Sequence, residues 1–225
     1  MIRTAVARAA IVGLLLLAGC SGLLRSNVPP EQVYYLRAKL AAPPSTRSTS
    51  LPPIRVGRPV PGPGLDSSHI MLLESNRRMS FYTASRWPAA LPEVVEELTV
   101  EALRASGSWS DVQSSESSFP AEYLLQIRIR RFDADYQTSS AAHAGAPPQV
   151  HVVLDCTFGR RSGREVLSTF VAEGSADAAA NKLSDVVAAF EAAINMALSS
   201  VATHAAQAAS AAGQKVDSPV TSISR

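Results

Sequence analysis

The sequence predicts an α+β domain, a mixed, mostly antiparallel sheet with two helices packed on one face. Three observations carry this. Residues 123–132 and 150–158 alternate apolar and polar side chains with a period of two, as half-buried strands do. Residues 91–102 and 183–201 place their apolar side chains at helical spacing. The elements come as several strands, a helix, more strands and a long helix, which is not the strict alternation of a parallel α/β fold.

In chain order, Tyr34-Tyr35-Leu36 and Ile54-Arg55-Val56 read as short strands, and His69–Leu73 as a third with a continuous apolar centre. Residues 79–83 pair with it through a turn around Ser75-Asn76-Arg77. The period then changes: Leu91, Val94, Val95, Leu98 and Ala102 form one helical face. Pro88 suits a first turn, Glu93, Glu96 and Glu97 sit near the positive end, and Gly107 stands where the helix stops. Pro92 inside that pattern moves the start towards Leu91.

In the strand 123–132, Tyr123, Leu125, Ile127 and Ile129 face inward and Leu124, Gln126, Arg128 and Arg130 outward. Val150, Val152, Leu154, Cys156 and Phe158 make a second inward row, and a Ser162-Gly163 turn leads to Val166, Ser168, Phe170 and Ala172 or their alternates. Residues 121–174 therefore form an antiparallel meander. Leu183, Val186, Val187, Phe190, Ile194, Ala197, Leu198 and Val201 mark the buried stripe of a helix of some six turns. Its other face is Ala, Ser, Asn and Lys, so it lies on a sheet and does not cross a membrane.

Ahead of this domain, Arg3 and Arg8 precede an apolar run, residues 9–18, that ends in Leu17-Ala18-Gly19-Cys20. That is the pattern of a bacterial lipoprotein signal, too short to span a bilayer. Cleavage before Cys20 leaves a cysteine whose thiol and new α-amine both accept acyl chains such as palmitate, and two or three chains anchor stably where one does not. Ser21, not Asp, follows, which favours the outer membrane facing the periplasm.

The expected organisation is a signal peptide at 1–19, a lipidated tether at 20–32, a domain at 33–204 with an irregular Pro/Ser/Thr segment at 39–53, and a disordered tail at 205–225. The stretch 138–148 is a loop.

The 21 basic and 19 acidic residues become 19 and 19 once Arg3 and Arg8 leave with the signal. A neutral chain is no nucleic-acid binder, which needs a basic surface to release counterions from phosphates. With Cys20 acylated, Cys156 has no partner and no disulfide forms.

No catalytic, metal or cofactor pattern is present. His69, His143, His151 and His204 have no ligand spacing, no serine stands in G-x-S-x-G, and residues 159–164 lack the length and lysine of a phosphate loop. Asp133 and Asp135 alternate at a strand end, where solvation accounts for them. Arg128, Arg130, Arg131, Arg160, Arg161 and Arg164 gather on neighbouring strands and a hairpin tip, as a contact for lipid headgroups or a partner, or as charges that discourage edge aggregation.

Taken together, the lipobox at Cys20, Tyr34-Tyr35-Leu36 after the tether, Ile54-Arg55-Val56, Gly64-Leu65-Asp66 ahead of an apolar strand, Arg86-Trp87 before the first helix, Glu122-Tyr123-Leu124-Leu125 and Phe132 form a pattern. It resembles the ABC-type transport auxiliary lipoproteins of the PqiC (YmbA) type, over residues 33–203. The sequence departs from that pattern at Pro88-Ala89 after Trp87 and at Ser67-Ser68 after Asp66.

The resemblance implies a non-catalytic periplasmic component of a lipid-handling ABC system, with a permease, an ATPase and an MCE-domain protein as partner, tethering that machinery to the outer membrane. Tyr35, Leu65, Asp66 and Trp87 match its motif in structural roles, Trp87 as a packing anchor. A structural or assembly lipoprotein without a transport partner, and a binder of a soluble ligand in a cleft, are the competing readings, and the oligomeric state is open.

Overall fold

The computed structural model describes residues 30–39, 50–137 and 145–216. The chain divides into two units, Met1–Glu31 and Gln32–Arg225, and every strand and helix described below belongs to the second. These elements are β1 (Gln32–Val33), β2 (Ile54–Val56), β3 (Val60–Pro61), β4 (His69–Leu73), β5 (Met79–Arg86), α1 (Leu91–Ala105), β6 (Val112–Gln113), β7 (Tyr123–Asp135), β8 (Gln149–Arg160), β9 (Glu165–Asp177) and α2 (Leu183–Val216). Among the described residues this is the expected α+β fold, two α-helices with a mixed nine-stranded sheet.

The sheet is built on β7. Along one side it pairs antiparallel with β8 over almost its whole length, and β8 pairs antiparallel with β9. Along the other side, three short strands share it in succession, all parallel: β2 at Tyr123 to Leu125, β3 at Arg128 and Ile129, β4 at Ala134 and Asp135. β6 extends the sheet beyond β2, and β5 and β1 extend it beyond β4. The sequence shows the antiparallel half because its strands are long and alternate. The parallel half is written in pieces of two to five residues, too short for a period to register.

Tyr123, Leu125, Ile127 and Ile129 are buried on the helix side together with Val150, Val152, Leu154, Cys156 and Phe158 of β8. A bulge between Ile129 and Arg131 then inserts one residue. The inward set shifts from odd to even numbers, so Phe132 and Ala134 are buried and Asp133 and Asp135 point to the other face.

α1 begins at Leu91 and carries Pro92 in its first turn, where the missing N–H would be an orphan anyway. The Leu91 N–H is taken by the Ser67 carbonyl at 2.9 Å and the Trp87 N–H by the Ser68 carbonyl at 2.7 Å, so the segment after Gly64 holds the helix entry. Ser106 caps the far end and Gly107 leaves it with φ +63°.

α2 lies across β8 and β9 with Val186, Phe190, Ala193, Ile194, Ala197, Leu198 and Val201 buried. Gly174 of β9 makes that approach possible, since a Cβ there would stand 1.9 Å from the Ala193 carbonyl oxygen.

Three expectations are corrected. The first strand is Gln32–Val33 and not Tyr34-Tyr35-Leu36; the Tyr34 N–H still donates to the Arg86 carbonyl at 2.9 Å, but the chain then leaves the sheet. The final helix does not fray near Ala205. It runs to Val216, with Ala205, Ala209 and Ala212 buried at the spacing of a helical face, a small-residue stripe that looks like low-complexity sequence. Finally, Asp133 and Asp135 are not solvated: they are 7% and 6% exposed and share Arg131. His143, most of the 138–148 loop, the 40–49 part of the irregular segment, Cys20 and residues 217–225 lie outside the described residues.

Candidate functional site

Six arginines were expected to cluster, and the structure divides them. Arg131 turns to its own strand: its Nε donates to Asp133 at 3.0 Å and its Nη2 to Asp133 at 2.7 Å and Asp135 at 3.0 Å. The hydrogen bonds to Asp133, above all, raise the guanidinium pKa further. Arg130, the bulge residue, reaches Asp155 at 3.2 Å and Glu173 at 3.6 Å. These two belong to the structure of the sheet's open face.

Arg160, Arg161 and Arg164 are brought together. With Leu124, Gln126, Thr157, Gly159, Glu165 and Val166 they line a hollow of about 320 Å³ beside the turn between β8 and β9. Arg160 is already paired, to Glu165 at 3.0 Å and Glu122 at 3.9 Å. Arg161 and Arg164 are exposed and make no ion pair among the described residues. Gly163 and Arg164 both hold positive φ, +77° and +55°, and glycine at 159 is required because a Cβ would meet the Glu165 carbonyl oxygen at 2.5 Å. Arg128 stands on the same face, opposite Asp155 in register, and does not line the hollow.

A second hollow, of about 650 Å³, runs along α1. Glu93, Glu96, Glu97 and Glu101 line one side, and Arg58, Arg104 and Glu116 stand among the rest of the lining with Val100, Ser114 and Ser115. Glu93 pairs with Arg58 at 3.0 Å, Glu96 accepts the Ser115 N–H at 2.7 Å, and the Arg104 guanidinium donates to the Val112 carbonyl at 2.9 Å. The recurrence of Glu93, Glu97 and Glu101 every fourth residue was the sequence signal for this acidic stripe, which the reading of Glu93, Glu96 and Glu97 as dipole partners passed over.

Of the motif residues, Leu65 and Trp87 are buried, whereas Tyr35 is 69% exposed and Asp66 lies at the surface. Trp87 sits edge-on between Phe132 of β7, 6.0 Å between ring centroids, and Phe190 of α2, 5.4 Å. It joins sheet to long helix.

His69 lies against Phe81 and His204 stacks on Phe170, its Nδ1 2.8 Å from the Ser200 carbonyl oxygen. Among the described residues no three His, Cys, Asp or Glu side chains converge as a metal site would need.

The described surface thus carries charged hollows on a fold whose helices and sheet share one core. The comparisons make the class specific. The model of the family described as ABC-type transport auxiliary lipoprotein component matches residues 34–202, and the chain belongs to that family. No curated protein matches the sequence.

Among solved structures, the chain is similar to protein XCC0632 from Xanthomonas campestris, of the DUF330 family, at 19% identity and TM-score 0.71 over 81% of this chain and 99% of that one. It is also similar to an uncharacterized protein at 9% identity and TM-score 0.52, over 84% and 100%. At these identities the likeness establishes the fold.

Proposed function

We propose that this auxiliary lipoprotein is a non-catalytic component of an MCE-type ABC lipid transport system, anchored through acylated Cys20 in the outer membrane and facing the periplasm, where it tethers or aligns the transporter through its MCE-domain protein. The observation that carries the reading is the family match over 34–202 on a chain whose Leu17-Ala18-Gly19-Cys20 has the form of a lipoprotein processing site. The acyl chains supply the membrane end and the α+β domain the protein end. A tether of about a dozen residues between them spans at most roughly 40 Å. Lipid passage then needs alignment from this chain and no bond-making chemistry.

Crosslinking in cells followed by affinity purification recovers an MCE-domain protein if the reading is right, and deletion of the gene sensitises the envelope to detergents. Recovery of outer-membrane assembly proteins alone, with an intact barrier in the deletion strain, replaces it with a structural role.

A further inference from the structure

We propose that the hollow beside the β8–β9 turn binds the phosphate-bearing headgroup of a membrane phospholipid, with Arg161 and Arg164 on the phosphate and the apolar floor on the glycerol end of the acyl chains. Such a site goes beyond the transport reading and does not depend on the partner's identity.

Three of the six arginines on these strands and their turn are paired inside the protein. Arg130, Arg131 and Arg160 each face acidic groups within 4 Å, so their charge is answered inside the protein. At the turn, two guanidinium groups without an acidic partner among the described residues border a hollow of about 320 Å³. Guanidinium matches phosphate oxygens with paired, charge-assisted hydrogen bonds, which a solvated charge at a hairpin tip does not use.

The rest of the lining selects among phosphates. Leu124 and Val166 contribute apolar surface beside the cations, and Val166, on an edge strand, is 61% exposed among the described residues. Free phosphate has no use for such a floor. An amphiphile does, since its charge and its first methylenes lie a few ångströms apart.

The backbone fixes the arrangement. Arg164 holds φ +55°, a conformation that disfavours a side chain, at the corner where the chain turns from β8 into β9.

The test uses the full chain in neutral maltoside detergent, titrated calorimetrically with dihexanoyl phosphatidylglycerol and, separately, with inorganic phosphate. Two variants remove the cations: Arg161→Ala, and Arg164→Gly, which suits the positive φ and so keeps the turn. Combined, they are expected to weaken phosphatidylglycerol binding by about tenfold or more, as loss of charge-assisted hydrogen bonds implies. Val166→Ser weakens lipid binding severalfold and leaves phosphate unaffected. Arg128→Ala, outside the hollow, changes neither.

Equal lipid affinity in the wild type and the double variant, with matching unfolding midpoints to show that both are folded, overturns the proposal. Phosphate binding as tight as lipid binding overturns its lipid half and leaves a simple anion site. Failure on either count leaves the crosslinking result for the transport partner untouched.

Discussion

Phe190 is the residue on which the long helix hangs. Its ring stacks on Phe132 at 5.1 Å and meets Trp87 edge-on at 5.4 Å, so one side chain links α2, β7 and the end of β5, and all three are buried. Phe190→Ala removes the burial and leaves a cavity bounded by two rigid rings that cannot collapse into it. We expect a loss of roughly 3 kcal/mol or more in chemical denaturation, against under about 0.5 kcal/mol for exposed Lys182→Ala. Gly174→Ala is expected to be worse than its single methyl suggests, since the new Cβ falls on the Ala193 carbonyl and forces α2 off the sheet; the same denaturation series reads it out.

Cys156 is 2% exposed, and burial, with the Asp155 carboxylate as a lesser contributor, pushes its thiol from 9.0 up to about 12. Iodoacetamide at pH 8 should therefore leave it unlabelled in the native protein and label it on unfolding. The linkage has a definite sign: the folded thiol keeps its proton to higher pH than the unfolded one. Its contribution is complete below pH 9 and falls by about 1.4 kcal/mol per pH unit as the pH rises from 9 towards 12. Denaturation midpoints that fall no more steeply in the wild type than in Cys156→Ala over that interval contradict this.

At the scale of elements, legibility followed length. β7, β8 and α1 stand in the sequence because their periods run long enough to be read, β4 shows only as a short continuous apolar run, and even the awkward Pro92 marks the start of α1. β3 and β6, two residues each, carry no period, and their parallel pairing depends on which part of β7 they reach. The bulge at Arg130 was equally hidden, and it governs the candidate site. Unbroken alternation would have left Arg131, Asp133 and Asp135 on the inward side; the inserted residue turns all three to the other face, where the two carboxylates pair with Arg131 and take it out of any shared cationic patch.

The cluster at Arg160, Arg161 and Arg164 was visible because a turn keeps its charges close in space whatever the register does. Replacing Arg131 by Met leaves two buried carboxylates without their cation. The guanidinium itself is partly exposed, so we expect a cost between the roughly 1 kcal/mol of a surface pair and the 3–5 kcal/mol of a fully buried one. A double Asp133→Asn, Asp135→Asn change in the same background should recover part of it, measured by urea denaturation.

For the whole molecule, the question is what holds it at a membrane. α2 is long and apolar enough to span a bilayer, with a mean hydropathy of 1.5 across its best window, but half of that window is buried within the protein. The residues that would face lipid are those packed on β8 and β9 around Phe190, and extracting them would dismantle the core. The helix is committed to the fold. With Arg3 and Arg8 set aside, the remaining 19 basic and 19 acidic residues balance, so a polybasic mode of attachment would have little charge to draw on. On the proposed reading, anchoring falls to acyl chains on Cys20, where two or three hydrocarbon tails would hold and a single tail would exchange. Cys20→Ala is expected to move the protein from the membrane to the soluble fraction, while the wild type resists both high salt and carbonate and yields acylated Cys20 as its N-terminal residue by mass spectrometry. Retention of the variant through a carbonate wash would mean that α2 leaves the sheet for the bilayer, and the Phe190→Ala stability loss would then have to disappear as well, since one helix face cannot be buried in both places.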